Sequence, residues 1–511
     1  MTKLEFYDVT LRDGAQSEGI SFSEHDKQRI FSLLSELGID LIEGGDPVSN
    51  PKDKNFFMNI KDKKLVAFGS TRRKDSVTEA DSGLLSLLEA NTDTVCIFGK
   101  SSISQIEKVI GVTKEDNLAM IGESVAMLAG SHKRVIYDAE HFFDGYKENP
   151  QYALTTLMTA YMAGADTLVL CDTKGATLPN DIYDIVKKCV DNIDGAKIGI
   201  HCHNDIGTAV ANSLAAVDAG ATHIQGTFLG YGERCGNANL STIIADLALK
   251  KGYKTDIILS LLTKTANAIA EISNIMLDPA MPYVGSSAFT HKAGMHADAV
   301  IKESDSFEHI NPEEVGNLRH IVLSEVSGRS SVTEKLKLYF PYMTKTDSVV
   351  QKILDNIKQL EKEGYQFEGA DASFILMAEK VMGTYTKSFD LEKYEITVRK
   401  PNGTNTATVS LKVGNDIKSA SADGNGPVNA LDKAIRIALS EFYPEINKIS
   451  LIDYKVRVID SSSATGAFVR VSITSRDSYK TWTTIGVSTD IIEASYIALV
   501  DSFEYILNNK E

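Results

Sequence analysis

From the first residue to about residue 250 the chain alternates short apolar runs with longer amphipathic segments. The runs are LEFYDVTL from residue 4, DLIEGG from 40, LVAFGS from 65, TVCIFGK from 94, RVIYDAE from 134, TLVLCDTKG from 167, KIGIHCHND from 197 and THIQGTFLG from 222. Between them lie stretches such as SEHDKQRIFSLLSELG, which has a Ser start, helical apolar spacing and a Gly stop. Alternating strand and helix predicts a parallel sheet, and eight such units predict a closed (β/α)8 TIM barrel rather than an open doubly wound sheet. Nearly every run ends on its C-terminal side in charged, amide or Gly residues: RDGAQ, EGGDP, STRR, DAEH, DTKG, HCHND, GYGERCGN. Barrel active sites are built at that end from loops distant in sequence. RDGAQ and HCHND are therefore expected on one rim.

From about 255 to 390 the pattern becomes mainly helical, in TDIILSLLTKTANAIAEISNIM and DSVVQKILDNIKQLEKEG, with the polar THKAGMHADAVIK between them. After YEITVRKPNGTNTATVSLKVG it turns to strands and turns, and ALDKAIRIALSEFY and IIEASYIALVDSFEY read as a degenerate duplication. At an offset of 61, Leu431, Ile435, Leu439 and Phe442 superpose on Ile492, Tyr496, Val500 and Phe503, all at helical spacing. The expected organisation is a barrel over 1–270, helical linker subdomains over 271–390 and a C-terminal α+β domain with internal duplication over 391–511.

A net charge of −16 and a pI near 5.2 argue against a nucleic-acid partner, whose phosphates require clustered Lys and Arg. No apolar run approaches about 18 residues and no signal-peptide pattern opens the chain, so a cytoplasmic protein without a membrane span is expected. Cys96, Cys171, Cys189, Cys202 and Cys235 are odd in number and widely spaced, as reduced thiols are.

His201 and His203 flank Cys202, and strand side chains two apart point the same way, so both imidazoles can face one point. With Asp13 as a third ligand this is a donor set for a divalent ion, Mn²⁺, Zn²⁺ or Co²⁺ by its imidazoles, Mg²⁺ or Mn²⁺ if oxygens complete it. Alone, a His-x-His pair is as often a hydrogen-bonded rim. Arg12 beside such a site suits a substrate that develops negative oxygen charge. Glu140, just past the fifth run, is placed to act as a general base, with Glu43, Asp46, Asp138 and Asp144 as competitors. Thr173 could donate a hydroxyl to a carboxylate or cap a helix. The glycines of GYGERCGNANL suggest a backbone that comes close to a ligand.

Together, TLRDGAQSEGISFS, HCHND and GYGERCGNANL resemble the family of barrel metalloenzymes that condense acetyl-CoA with 2-oxo acids, the isopropylmalate, homocitrate and citramalate synthases, with acyl-CoA lyases as cousins. HKAGMHADAVIK resembles that family's linker subdomain and the C-terminal duplication its allosteric domain, so the likeness covers nearly the whole chain. Ala15 and Glu18 favour the citramalate branch, because the isopropylmalate branch usually reads RDGEQSPG. The resemblance implies that Asp13, His201 and His203 hold the divalent metal, Mn²⁺ or Mg²⁺ with Zn²⁺ or Co²⁺ as alternatives, and that Asn237 lies close to it. It implies that Arg12 polarises the carbonyl of pyruvate, that Thr173 helps bind it, and that Glu140 takes part in deprotonating acetyl-CoA; Gln16, Tyr137 and Arg72 are further expected substrate contacts, Arg72 as the cation that a distal carboxylate would need. It further implies a homodimer in which His296 serves a neighbouring subunit, and isoleucine as allosteric ligand. The expected activity is condensation followed by thioester hydrolysis; the alternatives are 2-oxoisovalerate as acceptor, or a lyase on the same barrel. The chain departs from the family at VGNLRH, where Arg319 replaces a Tyr.

Overall fold

The computed structural model describes residues 3–47, 51–291, 299–300, 302–321, 329–399, 403–459, 467–477 and 480–509. Its contacts divide the chain into two compact units: Met1–Phe289 with Ile310–Leu318, and Thr290–His309 with Arg319–Glu511.

In the first unit all eight apolar runs form strands. They are β1 (Glu5–Asp8), β2 (Leu41–Gly45), β3 (Leu65–Ser70), β4 (Thr94–Lys100), β5 (Arg134–Glu140), β6 (Thr167–Asp172), β7 (Lys197–Cys202) and β8 (His223–Gly226). Every neighbouring pair is parallel, and β1 pairs with β8 to close the barrel. Strand side chains alternate in direction, so each strand feeds two cores. Outward residues such as Phe6, Ile97, Tyr137 and Leu168 pack beneath the surrounding helices. Inward residues, Tyr7, Val9, Leu41, Val66, Cys96, Ile136, Val169 and Cys171, make a smaller cluster inside the barrel. The connecting helices follow the sequence signals. Glu24–Leu37 starts at Ser23, whose hydroxyl accepts from Asp26 N while the Asp26 carboxylate accepts from Ser23 N, and it stops at Gly38. Such a cap contributes about 1 kcal/mol.

The second unit opens with two short parallel strands, β9 (Thr290–His291) and β10 (His320–Ile321). Helices Arg329–Lys337, Ser348–Lys362 and Asp371–Met382 follow. The middle helix buries Val350, Ile353, Leu354 and Ile357 along one stripe. Two antiparallel sheets complete it: β11 (Asp390–Val398), β12 (Asn405–Val413) and β13 (Asp416–Gly424), then β14 (Ser450–Val458), β15 (Val469–Arg476) and β16 (Thr481–Ser488). Each sheet is followed by one helix, Pro427–Leu439 or Ile491–Asn508, and each first strand carries a bulge, at Leu391/Lys393 and at Leu451/Asp453.

The duplication is therefore real, but its phase differs from the sequence expectation. The first helix buries Ala430, Leu431, Ala434, Ile435, Ala438 and Leu439; the second buries, 64 residues on, Ala494, Ser495, Ala498, Leu499, Ser502 and Phe503. At the offset of 61, Ile492, Tyr496 and Val500 are only partly buried. A slip of three residues is nearly one helical turn, so apolar spacing alone does not separate the two alignments. The inward alanines carry the phase, because they let each helix approach its sheet. Leu499→Ala is expected to cost about 2–5 kcal/mol and Ile492→Ala clearly less; thermal unfolding of the two variants checks this, and equal losses would refute the 64-residue alignment.

Candidate metal centre and active site

The inward-facing positions of the strands converge on a cavity of about 600 Å³ at the C-terminal rim. Arg12, Asp13, Gln16, Glu140, Thr173, His201 and His203 all line it. Asp13, His201 and His203 are buried, and one ligand atom of each lies within 4.8 Å of those of the other two. Asp13 comes from the turn after β1, His201 from β7, and His203 from just beyond β7, where it bridges to Asn237.

Asp13 and His201 are tied back so that one face of each stays open. The His201 Nδ1 lies 2.9 Å from Gln225 Oε1, and its Nε2 lies 3.5 Å from Asp13 Oδ2. Asn237 Nδ2 donates to Asp13 Oδ1 at 3.1 Å and to the carbonyl of Tyr231 at 3.1 Å. Two buried atoms, His203 Nδ1 and Asn237 Oδ1, have no hydrogen-bond partner among the described residues. Unpaired buried polar atoms cost stability, so a cluster of them beside a carboxylate fits a site completed by a bound cation. Burial opposes ionisation of Asp13, but Arg12 and the two imidazoles hold its carboxyl below the usual range. Burial, then His203, pulls His201 down to about 4, and burial lowers His203. A carboxylate and two neutral imidazoles are the protonation states that ligation requires.

Arg12 stacks on Phe68, 3.8 Å from the ring centroid, and its Nε donates to Glu43. Tyr7 Oη also donates to Glu43, at 2.5 Å, so this fully buried carboxylate is occupied in fixing Arg12. Glu140 is ion-paired with Lys100 at the rim. Asp138, two residues back on the same face of β5, also lines the cavity; burial, then Glu43, pushes its carboxyl up to about 7. Thr173 Oγ1 accepts from the His141 N–H at 2.8 Å, which leaves its own proton free to donate into the cavity. Asp144 is held by His141 and Lys174, and Asp46 lines the cavity.

Two expected substrate contacts lie elsewhere. Tyr137 sits between Ile136 and Asp138, and alternation along β5 turns it outward into the core beneath the helices, wholly buried and away from the cavity. Arg72 is drawn to Glu123, 2.6 Å from its Nε, and donates to the carbonyls of Arg73 and Ser76. His296 lies outside the described residues. The glycines of GYGERCGNANL fold the loop on itself: a Cβ on Gly236, at φ 86°, would lie 2.0 Å from the Gly230 carbonyl. Their demand is for a turn that delivers Asn237 to Asp13. The sequence reading did not single out Phe68 and Phe98, whose stacked rings, 5.5 Å apart, wall the cavity. It also passed over Gln225, whose signal was a lone amide in the strand HIQG.

Three family models match in series: HMGL-like over residues 3–269, Homocitrate synthase post-HMGL domain-like over 283–365, and LeuA allosteric (dimerisation) domain over 368–507. The (R)-citramalate synthase of Aquifex aeolicus (strain VF5) is 49% identical, over 100% of this chain and 98% of its own. The chain belongs to the (R)-citramalate synthase family. That of Geobacter sulfurreducens (strain ATCC 51573 / DSM 12127 / PCA) is 44% identical over 100% of this chain and 99% of its own. The 2-isopropylmalate synthase of Methanocaldococcus jannaschii (strain ATCC 43067 / DSM 2661 / JAL-1 / JCM 10045 / NBRC 100440) falls to 32%, over 100% of this chain and 96% of its own. Among the described residues no helix is long and apolar enough to cross a membrane.

His203→Ala, which removes one of two imidazoles from a three-residue donor set, is expected to lower Mn²⁺ affinity by at least tenfold. Equilibrium dialysis of the full-length variant checks this, and unchanged binding would remove His203 from the site.

Proposed function

We propose that the rim cavity joins the acetyl group of acetyl-CoA to C2 of pyruvate and that the resulting thioester is hydrolysed to citramalate and coenzyme A. The observation that carries this reading is the drop in identity from 49% with a citramalate synthase to 32% with an isopropylmalate synthase, both over the whole chain. The chain is accordingly an acyltransferase whose acyl group becomes an alkyl group on transfer.

Asp13, His201 and His203 would hold a divalent cation, Mn²⁺ or Mg²⁺ from the oxygen-rich surroundings, with Asn237 beside it. Bound there, the cation supplies Lewis-acid stabilisation of charge on the keto oxygen. Arg12, immobilised by Glu43 and Phe68, adds a fixed positive charge at the same place, and needs no reorganisation as that charge grows. Thr173 and Gln16 orient the substrate carboxylate. Glu140 Oε takes a proton from the acetyl methyl, the methyl carbon bonds to C2 as the C2–oxygen π bond opens, and the keto oxygen takes a proton from water to become the citramalyl hydroxyl while Glu140 returns its own to solvent. Water then cleaves the thioester, which makes the overall step irreversible. The Phe68–Phe98 wall favours the methyl of pyruvate over a branched side chain, although one methylene changes such a preference by only about 1–3 kcal/mol.

The homodimer reading has support in the second unit, where the edge strand β14 exposes Ile452, Val456 and Val458. In it His296 would serve the neighbouring subunit. Isoleucine is the proposed effector, with a place in a cavity of about 650 Å³ after the DGNGP turn. Val428, Ile449, Leu451 and Tyr454 supply an apolar wall there, and Asn429, Asn447 and Ser450 supply polar contacts for an ammonium and a carboxylate. The reaction belongs in the cytoplasm, in keeping with five free cysteines.

Coenzyme A release with Mn²⁺, compared for pyruvate, 2-oxoisovalerate and 2-oxoglutarate, tests the proposal. Preference for pyruvate of at least tenfold in kcat/KM is expected; preference for 2-oxoisovalerate would overturn the substrate, and silence with all three would overturn the reaction. Tyr454→Ala should keep condensation while weakening isoleucine inhibition, and unchanged inhibition would move the effector elsewhere.

A further inference from the structure

The candidate ligand His201 is the upper end of a hydrogen-bond chain that descends through the inside of the barrel. Gln225 on β8 is in register with His201 on β7, and its Oε1 lies 2.9 Å from His201 Nδ1. Its Nε2 donates to Asp138 Oδ1 at 3.0 Å and lies 3.3 Å from His223 Nε2. His223, two residues before Gln225 on the same face of β8, has its Nδ1 2.8 Å from Glu5 Oε2. Arg134 grips that carboxylate with two N–H groups, at 2.8 and 2.7 Å. His201, Gln225, His223 and Asp138 are all buried. Space is kept for the chain: a Cβ on Gly199 of β7 would lie 2.9 Å from His223 Cδ2, so the imidazole occupies the volume a side chain there would need.

The two ends of an amide have nearly the same shape, so the direction of Gln225 has to follow from its partners. Glu5, clamped by Arg134, accepts only, so the proton on His223 sits at Nδ1 and a neutral His223 presents a bare Nε2. That nitrogen requires a donor. The NH2 end of Gln225 supplies one, and its second proton reaches Asp138 Oδ1. Its carbonyl end is thereby turned to His201, whose proton must sit at Nδ1, and His201 Nε2 is left with its lone pair towards Asp13 Oδ2, 3.5 Å away.

We propose that Gln225, oriented by His223 and Asp138, is a positioning residue that fixes His201 in its Nδ1–H tautomer and so presents Nε2 to a divalent cation. The inference rests on the reading of Asp13, His201 and His203 as a metal centre. Carbonyl acceptors behind a ligating imidazole fix its ring and tautomer, and their loss typically costs 10- to 100-fold in metal affinity.

The test uses the full-length chain, with free Mn²⁺ followed by its electron paramagnetic resonance signal. Gln225→Leu, of similar size but unable to accept, should bind Mn²⁺ about 10- to 100-fold more weakly than the unaltered chain. Gln225→Glu combined with Asp138→Asn, which still offers His201 Nδ1 an acceptor and sets an amide donor against the new carboxylate, should recover most of that loss, a rescue that packing alone does not explain. Wild-type affinity in Gln225→Leu, or equal losses in both variants, would overturn the proposal. Failure of the unaltered chain to bind Mn²⁺ would instead overturn the metal centre itself. A measurement made on the unaltered chain is the ¹⁵N-histidine spectrum of the metal-free protein, with the His201 signals identified by their absence in His201→Gln. A protonated Nδ1 and a bare Nε2 are expected; the reverse would refute the proposal.

Discussion

The rim depends on keeping Asp13, His201 and His203 open towards one another while Asp13 and His201 are tied back into the protein. Buried polar groups left without partners are costly, and like-charged neighbours drive one another to the neutral form. The barrel meets this by filling its interior with acceptors and donors as well as apolar side chains. Glu43 holds Arg12, Asn237 holds Asp13, and Gln225 holds His201. The atoms left over in the middle are the carboxylate oxygen and imidazole nitrogens that a cation needs.

The same economy explains why the polar interior does not dissolve the fold. Outward residues of the eight strands bury a continuous apolar layer under the helices, and that layer carries the stability. Strands that alternate between the layers can spend their inward positions on chemistry. Tyr137 and Asp138 show the division on one strand: adjacent in sequence, one belongs to the outer core and the other to the cavity. At the end of β6 the inward face leads from Cys171, in the barrel interior, to Thr173 just beyond the strand at the cavity wall.

The barrel was legible in the sequence because parallel strands buried on both faces read as near-continuous apolar runs, and eight of them are hard to mistake. Asp13, His201 and His203 were legible as candidates because potential ligands at the ends of two strands share one rim, whereas a His-x-His pair alone decides nothing. Tyr137 and Arg72 were misplaced for separate reasons. For Tyr137 the direction of a side chain depends on strand register, and for Arg72 a long cation is captured by whichever carboxylate lies nearest, here Glu123. Gln225 was hard to read because a lone amide in HIQG does not disclose its partners, which lie on β5, β7 and β8. The phase of the C-terminal duplication was hidden in small residues: Ala434 and Ala498 decide how each helix meets its sheet, yet the larger apolar residues dominate a periodicity.

One measurement bears on the central claim most directly: electron spin-echo envelope modulation of Mn²⁺ bound to the full-length chain, which reports nitrogen nuclei coupled to the ion. The arrangement of Asp13, His201 and His203 predicts modulation from two imidazole nitrogens, reduced to one by His203→Gln. Tightly bound Mn²⁺ without nitrogen coupling would contradict the account, because the ion would then lie at a site that these histidines do not form.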